Sequence, residues 1–206
     1  MTKKKNEFLI TGDSYEDIEN KIIYYTKEKM RCRYDPIYFM EQYIKISLPG
    51  GISDFKLYEP QKKFIINYIK HGYVITLKSR QTGISTIAQA IVTYMVTFYT
   101  NCVIGIVSRR AEDASEFCRK IQFMIDNLPD FIRPNYKQKN IQYFILENNS
   151  EVYSESIQLS DPESALRSKA LTLLIVDEAA FIRGINEAWT GMSSTLLKAA
   201  KHARKK

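Results

Sequence analysis

The stretch YVITLKSRQTGISTIAQAIV, residues 73–92, decides the fold class of this chain. Its first part, Tyr73 to Leu77, is apolar and rich in β-branched residues, and it predicts a buried strand. Its last part begins an apolar helix predicted over residues 84–99. Between them lies a loop of polar residues that ends in Gly83. A strand that passes through such a loop into a helix places backbone N–H groups and a helix N-terminus around an anion.

The loop departs from the usual phosphate-binding pattern, in which a glycine is followed after four residues by Gly-Lys-Ser/Thr. Lys78 stands at the first glycine position, and Ile84 stands at the lysine position. Because an isoleucine cannot neutralise a phosphate, the cation must come from elsewhere, and Lys78 is the first candidate, with Arg80 second. Ser85 provides a hydroxyl for Mg²⁺ at the start of the helix. The alternative is a surface turn that contains these residue types by coincidence.

A second polar feature follows the apolar stretch Leu171 to Val176, which predicts another strand ending in Asp177 and Glu178. Carboxylates are costly to bury without partners, so both are expected to emerge at the carboxyl edge of the sheet, where open α/β sheets bind ligands. We expect Asp177 to hold Mg²⁺ and Glu178 to polarise an attacking water. The alternative is a strand that runs into an ordinary acidic turn.

The remaining pattern predicts an α/β fold: a parallel sheet with helices on both faces, preceded by a helical lead-in over residues 1–55. Residues 56–206 are predicted to form the second, larger unit. Further helices are predicted over residues 15–33, from Asp35-Pro36 onward, and over residues 60–70, 110–127 and 188–201. Further strands are predicted over residues 103–107, 141–146 and 151–156. The last two of these strands are predicted to form a hairpin.

Composition narrows the function classes. The 206 residues are 45% hydrophobic with a net charge of +7, which favours a polyanionic partner such as DNA, although basic ends that are merely solvated would give the same excess. We find no apolar run of membrane-spanning length and no signal peptide. The three cysteines show no metal spacing and are expected to be reduced thiols in a cytoplasm, and two histidines alone cannot form a zinc site.

The chain resembles the large terminase subunits of tailed bacteriophages, the family of DNA-packaging motors. Residues 78–85 resemble the family's deviant phosphate loop, and Leu174 to Ile182 resembles its acidic, Walker B motif. Leu57 to Gln61 is similar to its adenine-reading segment. Asp35-Pro36 with residues 39–44 resembles its leading helix, and Leu166-Arg167-Ser168 stands where the family has an arginine turn. The likeness covers about residues 35–183.

The resemblance implies a RecA-like P-loop NTPase that uses ATP and Mg²⁺. In that reading Gln61 contacts adenine, Ser85 and Asp177 serve Mg²⁺, Glu178 is the catalytic carboxylate, and Arg80 stabilises charge on the γ-phosphate. The nucleotide-binding loop would comprise Lys78, Ser79, Arg80, Gln81, Thr82, Gly83, Ile84, Ser85 and Thr86. The implied partners are double-stranded DNA, the portal protein and the small terminase subunit, in a homo-oligomeric ring on the portal, within the host cytoplasm and away from any membrane.

The sequence ends soon after the acidic motif, without the family's coupling motif or its nuclease domain. We therefore expect no nuclease activity, and a sheet truncated after the Walker B strand, whose neighbouring central strand would begin just beyond Lys206. Two other functions stay open. One is a helicase-type ATPase, which Ile84 and the chain length disfavour; the other is a non-catalytic ATP-binding fragment that needs a partner chain.

Overall fold

The computed structural model describes residues 15–79 and 82–203. Within them the chain forms six α-helices and seven strands. The helices are α1 (Tyr15–Tyr34), α2 (Pro36–Tyr43), α3 (Glu59–His71), α4 (Ile84–Phe98), α5 (Ala111–Asp126) and α6 (Ile185–Ala203). The strands are β1 (Lys45–Leu48), β2 (Gly51–Asp54), β3 (Val103–Ser108), β4 (Tyr136–Lys139), β5 (Tyr143–Leu146), β6 (Glu151–Ser156) and β7 (Leu173–Val176). The predicted α/β class is therefore confirmed.

The main sheet has five strands in the order β4-β5-β6-β3-β7. β3 pairs in parallel with both β6 and β7, whereas β4, β5 and β6 pair antiparallel. The predicted parallel pairing holds for β3 with β6 and β7, and the sheet is mixed because the turn after Leu146 is too short for a crossover and returns the chain as a hairpin. The predicted hairpin itself is confirmed.

Both faces of the sheet are covered, as predicted for strands with continuous apolar runs. Ile104 and Ile106 of β3 pack in one core with residues of α4 and α5. Val107 packs on the opposite face with Leu171 and with Met192 of α6. This alternation follows from the two-residue period of a strand, which sends successive side chains to opposite faces.

The segment Tyr73 to Leu77 corrects a central expectation. It was predicted to be a buried strand, but residues 73–79 lie outside every strand of the described chain, and Ile75 is 95% exposed. A strand needs a neighbour to accept and donate its backbone hydrogen bonds. β7 is the last strand of the sheet formed by the described residues, and it does not pair with this segment. The apolar pattern is present, but no described strand provides the partner that would bury it.

Within the helical lead-in, α2 begins where the sequence predicts. Asp35 caps α2 by accepting a hydrogen bond from the Tyr38 amide at 2.9 Å, and Pro36 occupies the first turn. Phe39 and Met40 of α2 share a hydrophobic core with Ile87 and Ile91 of α4. The predicted boundary at residue 55 therefore crosses a common core. The β1–β2 hairpin, around Pro49-Gly50, was not predicted.

Glu28 of α1 links this helix to α2. It accepts hydrogen bonds from the hydroxyls of Tyr38 and Tyr43, each at 2.7 Å. These bonds, with the nearby Arg31, hold the pKa of Glu28 below its usual value despite the opposing effect of burial. The carboxylate is thus a charged, satisfied group at a helix junction.

Cys32, Cys102 and Cys118 are buried free thiols, and burial raises the pKa of each. Across residues 15–79 and 82–203, none of the helices combines the length and the apolar character that a membrane crossing requires.

Candidate functional site

The phosphate-binding candidate lies at the N-terminus of α4. Gly83 caps the helix with a φ of +74°, a left-handed conformation that glycine adopts without strain. Ile84, Ser85 and Thr86 form the first turn, where backbone N–H groups have no partner within the helix. Upstream, the Thr82 hydroxyl donates to the Ser79 carbonyl at 3.2 Å. The predicted residues Arg80 and Gln81 lie outside the described residues.

Three predicted site residues meet beside this helix start. Lys78 Nζ lies 2.7 Å from Ser85 Oγ and 3.1 Å from Asp177 Oδ1. Ser85 Oγ lies 3.0 and 3.2 Å from the two carboxylate oxygens of Asp177. Lys78 and Asp177 are 99 positions apart in sequence. Their contact therefore arises from the fold.

Asp177 reaches this place through the pairing of β7 with β3. The register sets Val176 opposite Val107, and the Asp177 amide donates to the Val107 carbonyl at 2.9 Å. Both strands therefore end at the same carboxyl edge, as the sequence predicted for this carboxylate. With its side chain 23% exposed, Asp177 remains open to a ligand.

Glu178 follows immediately in a left-handed conformation, with φ of 56° and ψ of 37°. Such a backbone is uncommon for a residue with a side chain and costs on the order of 1 kcal/mol or more. It turns the chain sharply from β7 into the short 3₁₀ turn Ala179–Phe181, so Glu178 itself stays exposed at the edge of the sheet.

Gln61 approaches the loop from the other side. It is the third residue of α3 and only 7% exposed. Its Oε1 accepts from the Tyr58 amide at 3.0 Å, and its Nε2 donates to the Thr82 carbonyl at 3.1 Å. The structure thus brings Gln61 against the loop that is predicted to bind phosphate, and the contact of Gln61 with adenine stays a prediction.

The donors at this edge fit Mg²⁺ by their chemistry. Ser85 and Asp177 offer a hydroxyl and a carboxylate, and Mg²⁺ binds proteins through one or two such oxygens while water and phosphates supply the remainder. Clusters of three or more histidine, cysteine, aspartate or glutamate residues suited to a metal are absent from the described residues. Protein side chains of the described residues therefore do not provide a complete set of metal ligands by themselves.

The sequence reasoning overlooked Arg109 and Arg110, which follow β3 directly and are exposed. Because β3 is the parallel neighbour of β7, this basic pair lies at the same sheet edge as Asp177. The available signal was its position after a continuous apolar strand, the same signal that identified Asp177 and Glu178. The pair adds positive charge to an edge expected to face an anion.

Comparisons with known proteins find a likeness to solved structures. Neither a protein-family model nor a curated protein matches the chain. The crystal structure of the large terminase of bacteriophage HK97 is similar, with a TM-score of 0.59 and 19% sequence identity. The match covers 79% of this chain and 35% of the terminase, so the chain spans about a third of that protein's length. The chain therefore has a terminase-like α/β fold.

Proposed function

We propose that this chain binds ATP with Mg²⁺ and hydrolyses it as part of a motor that moves double-stranded DNA into a viral procapsid. The observation that carries the proposal is the meeting of Lys78, Ser85 and Asp177 at the start of α4. A cation, a hydroxyl and a carboxylate beside a helix N-terminus are the groups that a metal-bound triphosphate requires. The terminase-like fold supports the motor part of the proposal.

Each residue has a separate proposed task. Lys78 turns from Asp177 to the phosphates, and backbone N–H groups of Gln81, Thr82, Gly83, Ile84 and Thr86 surround them. Ser85 and Asp177 hold Mg²⁺, which neutralises phosphate charge when bound. Glu178 orients the attacking water, and Arg80 stabilises charge that develops on the γ-phosphate. Ser79 is proposed to be a further residue of the nucleotide-binding loop.

The partners follow from the same proposal. Double-stranded DNA is the proposed substrate of translocation, with the portal protein and the small terminase subunit as assembly partners. A homo-oligomeric ring on the portal would place several copies of the site around the DNA, in the host cytoplasm. The net charge of +7 is consistent with an anionic partner.

The dependence of ATP binding on Mg²⁺ tests the site. We expect Mg²⁺ to tighten ATP binding by the parent protein, and Asp177→Asn to remove that enhancement because the amide no longer attracts the metal. Calorimetric titrations with Mg²⁺ and with chelator would measure it. Asp126→Asn is the matched control, because Asp126 also pairs with a lysine, Lys139, at 2.6 Å but lies away from this edge. An Asp177→Asn protein that keeps the full Mg²⁺ enhancement would contradict the assignment.

A further inference from the structure

Gln61 is a buried polar residue with both ends of its amide engaged. The oxygen accepts from the Tyr58 backbone at the start of α3, and the nitrogen donates to the Thr82 backbone in the phosphate loop. The backbone N–H of Gln61 in turn donates to the Tyr58 carbonyl at 2.9 Å. One side chain therefore joins two backbone segments that are 21 positions apart.

The loop passes so close to this amide that no side chain fits between them. A Cβ built on Gly83 would lie 2.7 Å from Gln61 Nε2, shorter than a normal contact. The positive φ of Gly83 independently excludes most other residues. Gly83 and Gln61 thus form a close contact at the point where the loop enters α4.

Helix α3, which carries Gln61, is held in place by core packing and by an ion pair. Ile65, one turn further along α3, is 1% exposed and belongs to the core that contains Phe39 and Ile87. Lys62 pairs with Glu41 of α2 at 3.1 Å. The loop's upstream flank, residues 73–79, lies in contrast outside the sheet. The Gln61 amide therefore connects an exposed loop to a packed helix.

We infer that Gln61 is a positioning residue that fixes the phosphate loop to α3, and that its main effect on binding is independent of the base. This inference rests on the proposed function and deepens it. A side chain whose oxygen and nitrogen both bond to backbone, and which is almost wholly buried, acts chiefly through the loop geometry that it sets. Loss of the Gln61 side chain should therefore weaken binding of the phosphates and not recognition of the adenine.

A ligand without a base separates the two roles. Binding of ATP and of inorganic tripolyphosphate, each with Mg²⁺, would be measured on the parent protein and on Gln61→Glu. This variant keeps the oxygen that faces Tyr58 but sets a carboxylate against the Thr82 carbonyl. We expect both affinities to fall by a common factor, on the order of tenfold. A fall for ATP with an unchanged affinity for tripolyphosphate would overturn the inference in favour of base recognition.

Gln122→Glu is the matched control. Gln122 is also buried and donates from Nε2 to a backbone carbonyl, that of Asn140, at 2.6 Å on β4's side of the sheet. It should leave both affinities unchanged. A parent protein that binds neither ligand would refute the proposed function together with this inference, whereas a loss confined to ATP in Gln61→Glu would refute the inference alone.

A double substitution covers the case in which Gln61→Glu folds poorly. Gly83→Ala should weaken binding of both ligands, because the new methyl group meets the Gln61 amide. In a Gln61→Ala background the obstructing amide is gone, so the same Gly83→Ala change should cost less affinity. Strictly additive losses would mean that the two residues act independently and would overturn the inference.

Discussion

The two flanks of the predicted phosphate loop, residues 78–86, are both apolar in sequence, yet only the downstream flank is buried in the structure. Downstream, α4 buries residues along its whole length, among them Ile87 and Val92, which are 0% exposed. Upstream, Tyr73, Ile75 and Leu77 are largely exposed. The difference shows that apolar content alone does not secure burial. A helix satisfies its own backbone hydrogen bonds, whereas a strand depends on a neighbour.

Asp177 extends this comparison to the acidic side of the site. β7 is a short apolar segment, like the stretch 73–77, but β3 pairs with it, and this pairing places Asp177 at a defined position. Lys78, by contrast, is defined through the contacts of its side chain with Ser85 and Asp177. The two halves of the site therefore differ in what positions them: backbone pairing for Asp177, side-chain contacts for Lys78.

The largest expected effect is on ATP turnover and concerns Glu178, which follows the paired strand β7. In the proposed ATP-hydrolysing assembly, Glu178→Gln should lower turnover by roughly 10²- to 10⁴-fold, since it removes the charge that is proposed to orient water but keeps the shape of the side chain. ATP binding should be preserved. Steady-state hydrolysis with a parallel binding titration measures both; equal hydrolysis rates in variant and parent would show that Glu178 is not catalytic.

Two isoleucines test the contrast between the flanks directly. Ile87→Ala should lower the free energy of unfolding by about 2–5 kcal/mol, because it leaves a cavity in a packed core. Ile75→Ala, on the exposed flank, should change it by less than about 0.5 kcal/mol. Urea denaturation of both variants gives the comparison. A loss from Ile75→Ala as large as that from Ile87→Ala would mean that the upstream segment is packed in solution.

A smaller effect is expected at the α1–α2 junction. Glu28→Gln should cost about 1–3 kcal/mol near neutral pH, because Tyr38 and Tyr43 then donate to a neutral group. The folded-state pKa of Glu28 is lowered, so its stabilisation is present above the ordinary glutamate pKa of about 4.5 and is lost as the pH falls through the lower folded value.

Urea denaturation at several pH values would follow this loss. The gap in stability between the parent and Glu28→Gln should narrow as the pH drops below about 4.5. Glu19→Gln, which removes a carboxylate from an exposed position on the same helix, serves as the matched control. A gap that widens on acidification would have the wrong sign and would exclude the role given to Glu28.

Local signals predicted the parts of the fold that local structure determines. Asp35-Pro36 marked the start of α2, and the helix predicted over residues 60–70 is α3, which ends at Gly72 with a φ of +76°. The β1 and β2 strands escaped prediction because they are short and mostly exposed. β4, of sequence YKQK, has no apolar alternation and is a strand only because β5 pairs with it.

The site divides in the same way. The sequence identified Lys78, Ser85 and Asp177 as separate candidates, since each has a chemical role that its position suggests. It did not predict that Lys78 contacts both of the others, nor that the Gln61 amide faces the loop. Side-chain directions of this kind depend on how α3, α4 and β7 are packed, and no local pattern encodes that arrangement.

The most direct test of the account is the affinity of Lys78→Ala for ATP with Mg²⁺. Lys78 is proposed to replace the lysine that Ile84 displaces, so its loss should weaken binding by several kcal/mol, about a hundredfold or more. Lys139→Ala, which breaks a lysine–aspartate pair remote from the site, should leave the affinity unchanged. Unchanged ATP affinity in Lys78→Ala would contradict the assignment of the phosphate site.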